Sequence, residues 1–251
     1  MEYQQLANVY DQLMDDAPYD EWLDLTVDVF QQSNKAIRHV ADLGCGTGRI
    51  TTSLAQLGYS MVGVDFSEEM LSHAQQHAAA KGVNVQWIHQ DLRELEGFSG
   101  LDAVISYCDV INYITTESEL QMVFHHVQEM LRDGGLFIFD IHSLYHMQNN
   151  FAGETFAAVE EDMSYIWFCS PGDATGEVFH DLTFFVQAGD RYVRFDETHH
   201  QRTFSIDIYK KLLRTAGFEI RHLYGDFSLK SEKLKEDTER IFFIAEKQPG
   251  K

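Results

Sequence analysis

Three glycines stand at alternate positions in the segment VADLGCGTGRI, at Gly44, Gly46 and Gly48, directly after an apolar run that ends in Asp42. Glycine permits backbone angles that other residues avoid, and it lacks the Cβ that would hold a ligand away from the main chain. The pattern therefore predicts a strand that turns into a helix around a closely bound small molecule.

The residues around this turn indicate which ligand it holds. The next strand-like run, YSMVGVDF, places Asp65 about 20 residues past the first glycine, where a carboxylate can accept hydrogen bonds from both hydroxyls of a ribose. We expect Asp65 to lie at an exposed strand end. A pyrophosphate fingerprint reads G-x-G-x-x-G, but position 49 is Arg, and Asp42 suits a ligand with an ammonium group. These features favour S-adenosylmethionine, which carries an ammonium and a sulfonium, over NAD.

Four motifs in order extend this pattern, and through them the chain resembles the class I, Rossmann-like, S-adenosylmethionine-dependent methyltransferases. The resemblance covers roughly residues 1–143 and, more loosely, 205–247, and it is strongest to small bacterial members of unassigned substrate that begin with a Tyr-rich helix. It implies S-adenosyl-L-methionine as the cofactor, with DLGCGTG around its methionine part, DFS at the ribose, HQDL at the adenine and Cys108 at the active-site mouth. The implied cofactor-binding residues are Tyr10, Asp42, Gly44, Cys45, Gly46, Thr47, Gly48, Asp65, Phe66, Ser67, Met70, Gln90, Asp91, Leu92 and Cys108.

Two further segments supply candidates for contact with the methyl acceptor. They are the mouth segment CDVINY and the cluster ETHHQR, in which strand alternation would send Glu197, His199 and Gln201 to one face and His200 and Arg202 to the other. The alternative is that CDVINY simply ends a strand and that ETHHQR lies on a solvated edge strand. Arg202 could bind a carboxylate through two hydrogen bonds. The substrate candidates are Asp109, Asn112, Tyr113, His199, His200 and Arg202.

Methyl transfer from a sulfonium requires alignment of nucleophile, carbon and sulfur and exclusion of water more than side-chain chemistry. A general base is needed only if the acceptor must lose a proton. His142, His199, His200, Asp109 and Tyr113 are candidates by position, so the catalytic residue stays unassigned.

Composition narrows the possible partners. The 251 residues carry a formal charge of −21, which disfavours unaided binding to a nucleic-acid backbone and favours a small-molecule substrate. Cys45, Cys108 and Cys169 form no C-x-x-C pair, which indicates reduced thiols in a cytoplasmic protein. We expect no export signal and no membrane span.

Histidine spacing raises the question of a metal site. His73 and His77, and likewise His142 and His146, stand four residues apart, but H-E-x-x-H is absent and a third ligand is not evident. The sequence therefore predicts no metal.

The elements that must position these residues alternate between strand and helix signals. This alternation predicts an α/β fold: a Rossmann-like, seven-stranded, mostly parallel sheet with helices on both faces. The alternation breaks over residues 144–204, where an antiparallel β insert of at least three strands, with a hairpin at Ala188-Gly189-Asp190, is expected after the fifth strand as a substrate-side subdomain. Residues 1–143 and 205–251 form the predicted core.

The aromatic residues Tyr3, Tyr10, Tyr19 and Trp22 recur near helical spacing at the start of the chain. We interpret residues 1–30 as a helical lid over the cofactor; the alternative is a helix that packs its apolar face on the core.

The predicted function is S-adenosylmethionine-dependent transfer of a methyl group to a small molecule, or to a protein side chain, by in-line displacement. Two alternatives remain open at this point. One is a non-catalytic regulator that binds S-adenosylmethionine, and the other is an NAD-dependent oxidoreductase.

Overall fold

Strands and helices alternate through most of the chain. The computed structural model describes residues 13, 14, 17–228 and 234–250. Its longer helices are α1 (Tyr19–Gln32), α2 (Arg49–Gln56), α3 (Glu68–Ala80), α4 (Glu117–Met130) and α5 (Ile206–Thr215). Its strands are β1 (His39–Leu43), β2 (Ser60–Asp65), β3 (Gln86–His89), β4 (Leu101–Ser106), β5 (Leu131–His142), β6 (Thr155–Val159), β7 (Met163–Pro171), β8 (Glu177–Ala188), β9 (Arg191–Arg202), β10 (Phe218–Gly225) and β11 (Arg240–Lys247).

A seven-stranded sheet in the order β10-β11-β5-β4-β1-β2-β3 forms the centre of the fold. Strands β1 to β5 run parallel, whereas β11 pairs antiparallel with β5 and β10 antiparallel with β11. All six residues of β4 are buried, as expected for a strand covered on both faces. The predicted seven-stranded, mostly parallel sheet is confirmed.

Helices cover both faces of this sheet. On one face, α4 and α5 contribute Phe124, Val127 and Leu213 to a buried cluster. On the other, α1 and α2 contribute Trp22 and Leu54 to a second cluster. Burial of these apolar side chains is the main force that holds the layers together.

Capping residues mark the positions at which three of the helices begin. The Ser67 hydroxyl accepts a hydrogen bond from the N–H of Met70, and Thr116 accepts one from Glu119, so both satisfy donors of the first helical turn. Ser205 occupies the same position before α5 but makes no side-chain capping bond. Ser or Thr thus stands at all three helix starts, as N-cap preferences predict, although Ser205 lacks the side-chain bond.

A second sheet, with the order β6-β7-β8-β9, is antiparallel throughout and follows β5, as predicted for the insert. The sheet has four strands, where at least three were expected, because the run TFAAVEEDMSYIWF is divided between β6 and β7. The acidic residues between them, EED, are depleted in strands and suit a turn. The hairpin after Ala188 is confirmed, with Gly189 at a φ of 67°. The division of the chain into a core and a substrate-side subdomain stays a prediction.

Helix α1 packs on the central sheet, and its Trp22 is only 2% exposed. Tyr19 lies at the start of this helix, whereas Tyr3 and Tyr10 lie outside the described residues. The lid hypothesis for the beginning of the chain therefore stays a prediction. In the part of the chain that the structure covers, no helix is both long and apolar enough to cross a membrane.

Candidate functional site

A cavity of about 320 Å³ opens beyond the carboxyl ends of β1, β2 and β4. Ligands of open α/β sheets bind at this edge. The cavity brings together most of the residues implied by the sequence motifs. Those that line it are Asp42, Gly44, Cys45, Gly46, Thr47, Asp65, Phe66, Met70, Asp91, Leu92, Cys108, Tyr113 and His199.

The glycine turn forms one wall of the cavity. A Cβ at Gly44 would stand 2.5 Å from Val110, and one at Gly48, which is not part of the lining, would stand 2.6 Å from Trp87. A Cβ at Gly46 would meet no protein atom within 4 Å, although the residue has a φ of 53°. The main chain at Gly46 therefore faces open space, as close approach by a ligand requires.

The carboxylate of Asp65 holds the glycine turn through hydrogen bonds to the main chain. It accepts hydrogen bonds from the N–H of Gly46 at 2.8 Å and of Ser67 at 2.9 Å. Asp65 is only 6% exposed, so the expected exposed strand end is wrong. Ser67 is buried and caps α3, and it does not line the cavity.

Asp42 adds a second buried carboxylate and is 3% exposed. It accepts a hydrogen bond from the hydroxyl of Thr51 at 2.5 Å. Burial raises the pKa of Asp42 to about 7; the Thr51 hydrogen bond opposes this rise, and the charge of Asp65 adds to it. Burial also raises the pKa of Asp65. Two carboxylates at one wall favour a cationic ligand group.

The HQDL motif lies at another part of the cavity. Asp91 and Leu92 line it, and the Asp91 carboxylate pairs with Arg93 at 2.5 Å. Gln90 is outside the lining and its side-chain amide donates to the backbone oxygen of Glu96 at 3.4 Å. Tyr10 lies outside the described residues.

The cavity mouth joins two segments that are distant in the chain. Tyr113 follows β4 in a short helical turn (Val110–Tyr113), and His199 lies on β9. A hydrogen bond of 3.2 Å links the Tyr113 hydroxyl to His199 Nδ1, and the rings meet edge to face at 5.9 Å. Tyr113 is 40% exposed, so this pair is accessible to an acceptor molecule.

His200 and Arg202 lie on the other face of β9, as alternation predicted. His200 donates to Glu177 at 2.8 Å and stacks on Phe179 at 4.3 Å. Arg202 donates to the backbone oxygen of Thr115 at 3.2 Å, and neither side chain lines the cavity. These contacts account for both side chains without a substrate.

Asn112 and Asp109 lie behind the mouth, and neither lines the cavity. The Asn112 amide donates to the backbone oxygen of Arg202 at 3.1 Å and accepts from the N–H of His142 at 2.9 Å. Asp109 pairs with His142 at 3.2 Å and with Arg240 at 3.1 Å. Burial by itself would raise the pKa of Asp109, but the charge of His142, aided by that of Arg240, outweighs it and holds the pKa below its ordinary value.

Several residues of the site were missed by sequence reasoning. Arg240 and Asp140 form an ion pair of 2.9 Å beneath the mouth, and Asp140 is completely buried. A carboxylate inside the apolar run LFIFDI was a detectable signal, because a buried charge needs a partner. Of the remaining lining residues, Tyr19 belongs to the predicted lid and Val110 to the mouth segment CDVINY, whereas the sequence did not indicate Arg49, Ile50, Arg93, Tyr107 and Ile114.

Within residues 13–14, 17–228 and 234–250, no group of three or more His, Cys, Asp or Glu side chains could hold a metal ion. The His142 and His146 rings stack on one another at 4.7 Å. Their spacing of four residues thus has a packing explanation.

Known proteins are similar to this chain in both sequence and architecture. A family model described as a methyltransferase domain matches residues 40–135. A protein of Geobacillus sp. (strain WCH70) that is provisionally named a methyltransferase is 41% identical over 249 residues, which cover 98% of this chain and 100% of that protein. An S-adenosylmethionine-dependent methyltransferase structure from Clostridium acetobutylicum ATCC 824 is 30% identical, with a TM-score of 0.89 over 98% of this chain and 99% of its own.

A more distant structure has the same fold. It is the S-adenosylmethionine-bound amino pentose methyltransferase CalS10 of Micromonospora echinaspora, which is 16% identical, with a TM-score of 0.74 over 96% of this chain and 97% of its own.

Proposed function

This chain belongs to the class I, Rossmann-like S-adenosylmethionine-dependent methyltransferases, and on that premise we propose that the cavity beyond β1, β2 and β4 holds the cofactor and that its mouth admits a small-molecule methyl acceptor. The observation that carries this assignment is the pairing of the open main chain at Gly46 with two buried carboxylates, Asp42 and Asp65, in the wall beside it. S-adenosylmethionine supplies an electrophilic methyl group on a sulfonium.

Each end of the cavity suits one part of this cofactor. Asp42, whose pKa of about 7 lets it ionise near neutral pH, would bind the ammonium group. Both oxygens of Asp65 accept backbone hydrogen bonds, and because a carboxylate oxygen can accept from more than one donor, Asp65 would also accept from a ribose hydroxyl. Asp91 and Leu92 would enclose the adenine, with Cys45 and Cys108 along the wall. Gly48 and Ser67 would act indirectly, by shaping the turn and capping α3.

The acceptor would bind against Tyr113 and His199. Both are on the cavity lining, and their mutual hydrogen bond holds an imidazole and a phenol where a nucleophile could lose a proton. Their task would be to orient the acceptor and exclude water, which are the main contributions that this chemistry needs. The contacts of Asp109, Asn112, His200 and Arg202 favour supporting roles for those residues.

The net charge of −21 supports a small molecule over nucleic acid as the substrate. Because the distant CalS10 structure is that of an amino pentose methyltransferase, amino sugars are the first acceptors to test. The free thiols of Cys45, Cys108 and Cys169 support the predicted cytoplasmic location.

Parallel titration calorimetry with S-adenosylmethionine, S-adenosylhomocysteine and NAD tests the cofactor assignment. We expect binding of the first two and none of NAD. Binding of NAD alone would overturn the site. Acceptors would then be screened with a labelled methyl group, amino sugars first, with Tyr113→Phe and His199→Asn as variants that should lose transfer but keep cofactor affinity.

A further inference from the structure

We propose that Arg240 is a positioning residue of the methyl-transfer site, since it holds Asp109 and Asp140 together beneath the cavity and so fixes the wall formed by residues 107–110. The inference rests on the cofactor site proposed above. Arg240 is the first residue of β11 and is not part of the cavity lining.

The wall segment has an unusual backbone. Cys108 and Asp109 have φ values of 56° and 55°, so two consecutive residues other than glycine lie in the left-handed region. L residues seldom adopt this conformation, which persists only where surrounding contacts impose it. The segment therefore depends on interactions that hold it in place.

Arg240 supplies the central one of these interactions. Its guanidinium donates to Asp140 at 2.9 Å and to Asp109 at 3.1 Å, and it lies 5.2 Å from the centre of the Trp22 ring. Asp140 in turn accepts hydrogen bonds from the N–H of Asp109 at 2.8 Å and from the indole of Trp22 at 2.7 Å. Without Arg240, the buried carboxylate of Asp140 and the partly buried carboxylate of Asp109 would lose this shared counter-charge.

The hydrogen bonds and contacts around Arg240 connect to both the proposed cofactor wall and the acceptor pair Tyr113 and His199. Val110 fills the space beside Gly44 so closely that a Cβ on the glycine would clash with it, which ties the wall segment to the glycine turn. The other oxygen of Asp109 accepts from Gln201 at 2.8 Å. Gln201 lies on the same face of β9 as His199, so this bond helps to fix the position of His199 at the cavity mouth. Displacement of Asp109 would therefore disturb both the cofactor wall and the acceptor pair.

The test compares Arg240→Met and Arg240→Lys with two controls. Arg221→Met removes a more exposed arginine that pairs with Glu246 on the same sheet, and Leu213→Ala weakens the buried cluster on the opposite face. Affinity for S-adenosylhomocysteine is measured by calorimetry, stability by thermal unfolding, and local order by amide hydrogen exchange.

For Arg240→Met we expect at least a tenfold loss of affinity and at least a hundredfold faster exchange of the Asp109 N–H, with unchanged exchange in β1 and β2. Arg240→Lys, which keeps a positive charge but not the fork of two hydrogen bonds, should lie between this variant and the wild type. Arg221→Met should match the wild type, and Leu213→Ala should lower the melting temperature without loss of affinity at a temperature where it stays folded.

Two results would overturn the inference: a folded Arg240→Met or Arg240→Lys protein with wild-type affinity and wild-type exchange at Asp109, or an equal loss of affinity in Leu213→Ala. If Arg240→Met does not fold, Arg240→Lys decides. If the wild type itself does not bind S-adenosylhomocysteine, the proposed cofactor site fails, and hydrogen exchange at Asp109 still judges the role of Arg240.

Discussion

Asp42 provides a test that links stability, pH and cofactor binding. Burial raises its pKa from an ordinary 3.8 to about 7, so the folded chain holds a proton that the unfolded chain releases between those values. The contribution of Asp42 to stability should therefore fall as pH rises from about 4 to about 7 and then level off. The difference between these two pKa values, at about 1.4 kcal/mol for each tenfold change in proton affinity, corresponds to a full destabilisation of about 4 kcal/mol.

The perturbation is Asp42→Asn, which keeps an oxygen to accept the Thr51 hydrogen bond but cannot ionise. Unfolding by urea at pH 5 and pH 8 measures the effect. Relative to the wild type, the variant should gain about 2.5 kcal/mol between these two pH values, because only the wild type has to ionise a buried carboxyl. The same variant should bind S-adenosylmethionine at least tenfold more weakly at pH 7.5, since it lacks the charge that pairs with the ammonium.

Calorimetry in buffers of different ionisation enthalpy gives a more direct measurement. At pH 6 the free protein holds a proton on Asp42, so binding of S-adenosylmethionine should release about one proton, and at pH 8 Asp42 should release none. The matched ligand is 5′-methylthioadenosine, which keeps the adenosine but lacks the ammonium and should release none at either pH. Equal proton release by both ligands, or by wild type and Asp42→Asn, would refute the assignment of Asp42 to the ammonium.

Three further predictions concern the cavity wall. Asp65→Asn should weaken S-adenosylmethionine at least tenfold in calorimetry, because an amide replaces one of two acceptor oxygens; unchanged affinity would contradict the ribose assignment. Gly46→Ala should abolish binding by placing a methyl group where the ligand approaches the main chain. Gly58→Ala, at a residue that also has a positive φ and open space but is outside the lining, should lose about 1 kcal/mol of stability and keep its affinity. Burial raises the pKa of both the Cys45 and the Cys108 thiol, so their alkylation should be slow at pH 7 and faster at pH 9. Bound S-adenosylmethionine should slow this alkylation further. If mass spectrometry finds that the cofactor does not protect either thiol, the proposed site is contradicted.

The sequence by itself determined the sheet and the position of the glycine turn that lines the cavity. Glycine spacing, helix caps such as Ser67 and the strict alternation of elements are local signals, because turn geometry and hydrogen bonds to the first helical turn involve residues a few positions apart. Asp42 and Asp65 could be placed for the same reason, since Asp42 is the next-to-last residue of β1, Asp65 is the last residue of β2, and the neighbours of both strands are parallel. Burial of Asp65 escaped this reasoning because it depends on how the turn folds over the strand end.

The acceptor side was decided only by the tertiary structure. Alternation correctly separated His199 from His200 and Arg202, but strand periodicity cannot tell which face meets the cavity. That choice depends on how the second sheet packs against the first, which brings His199 to Tyr113 from 86 positions away. Arg240 likewise meets Asp109 across 131 positions. Ion pairs between residues far apart in the chain have no characteristic local spacing. The carboxylate within LFIFDI indicates that Asp140 needs a partner, but only the folded chain shows that this partner is Arg240.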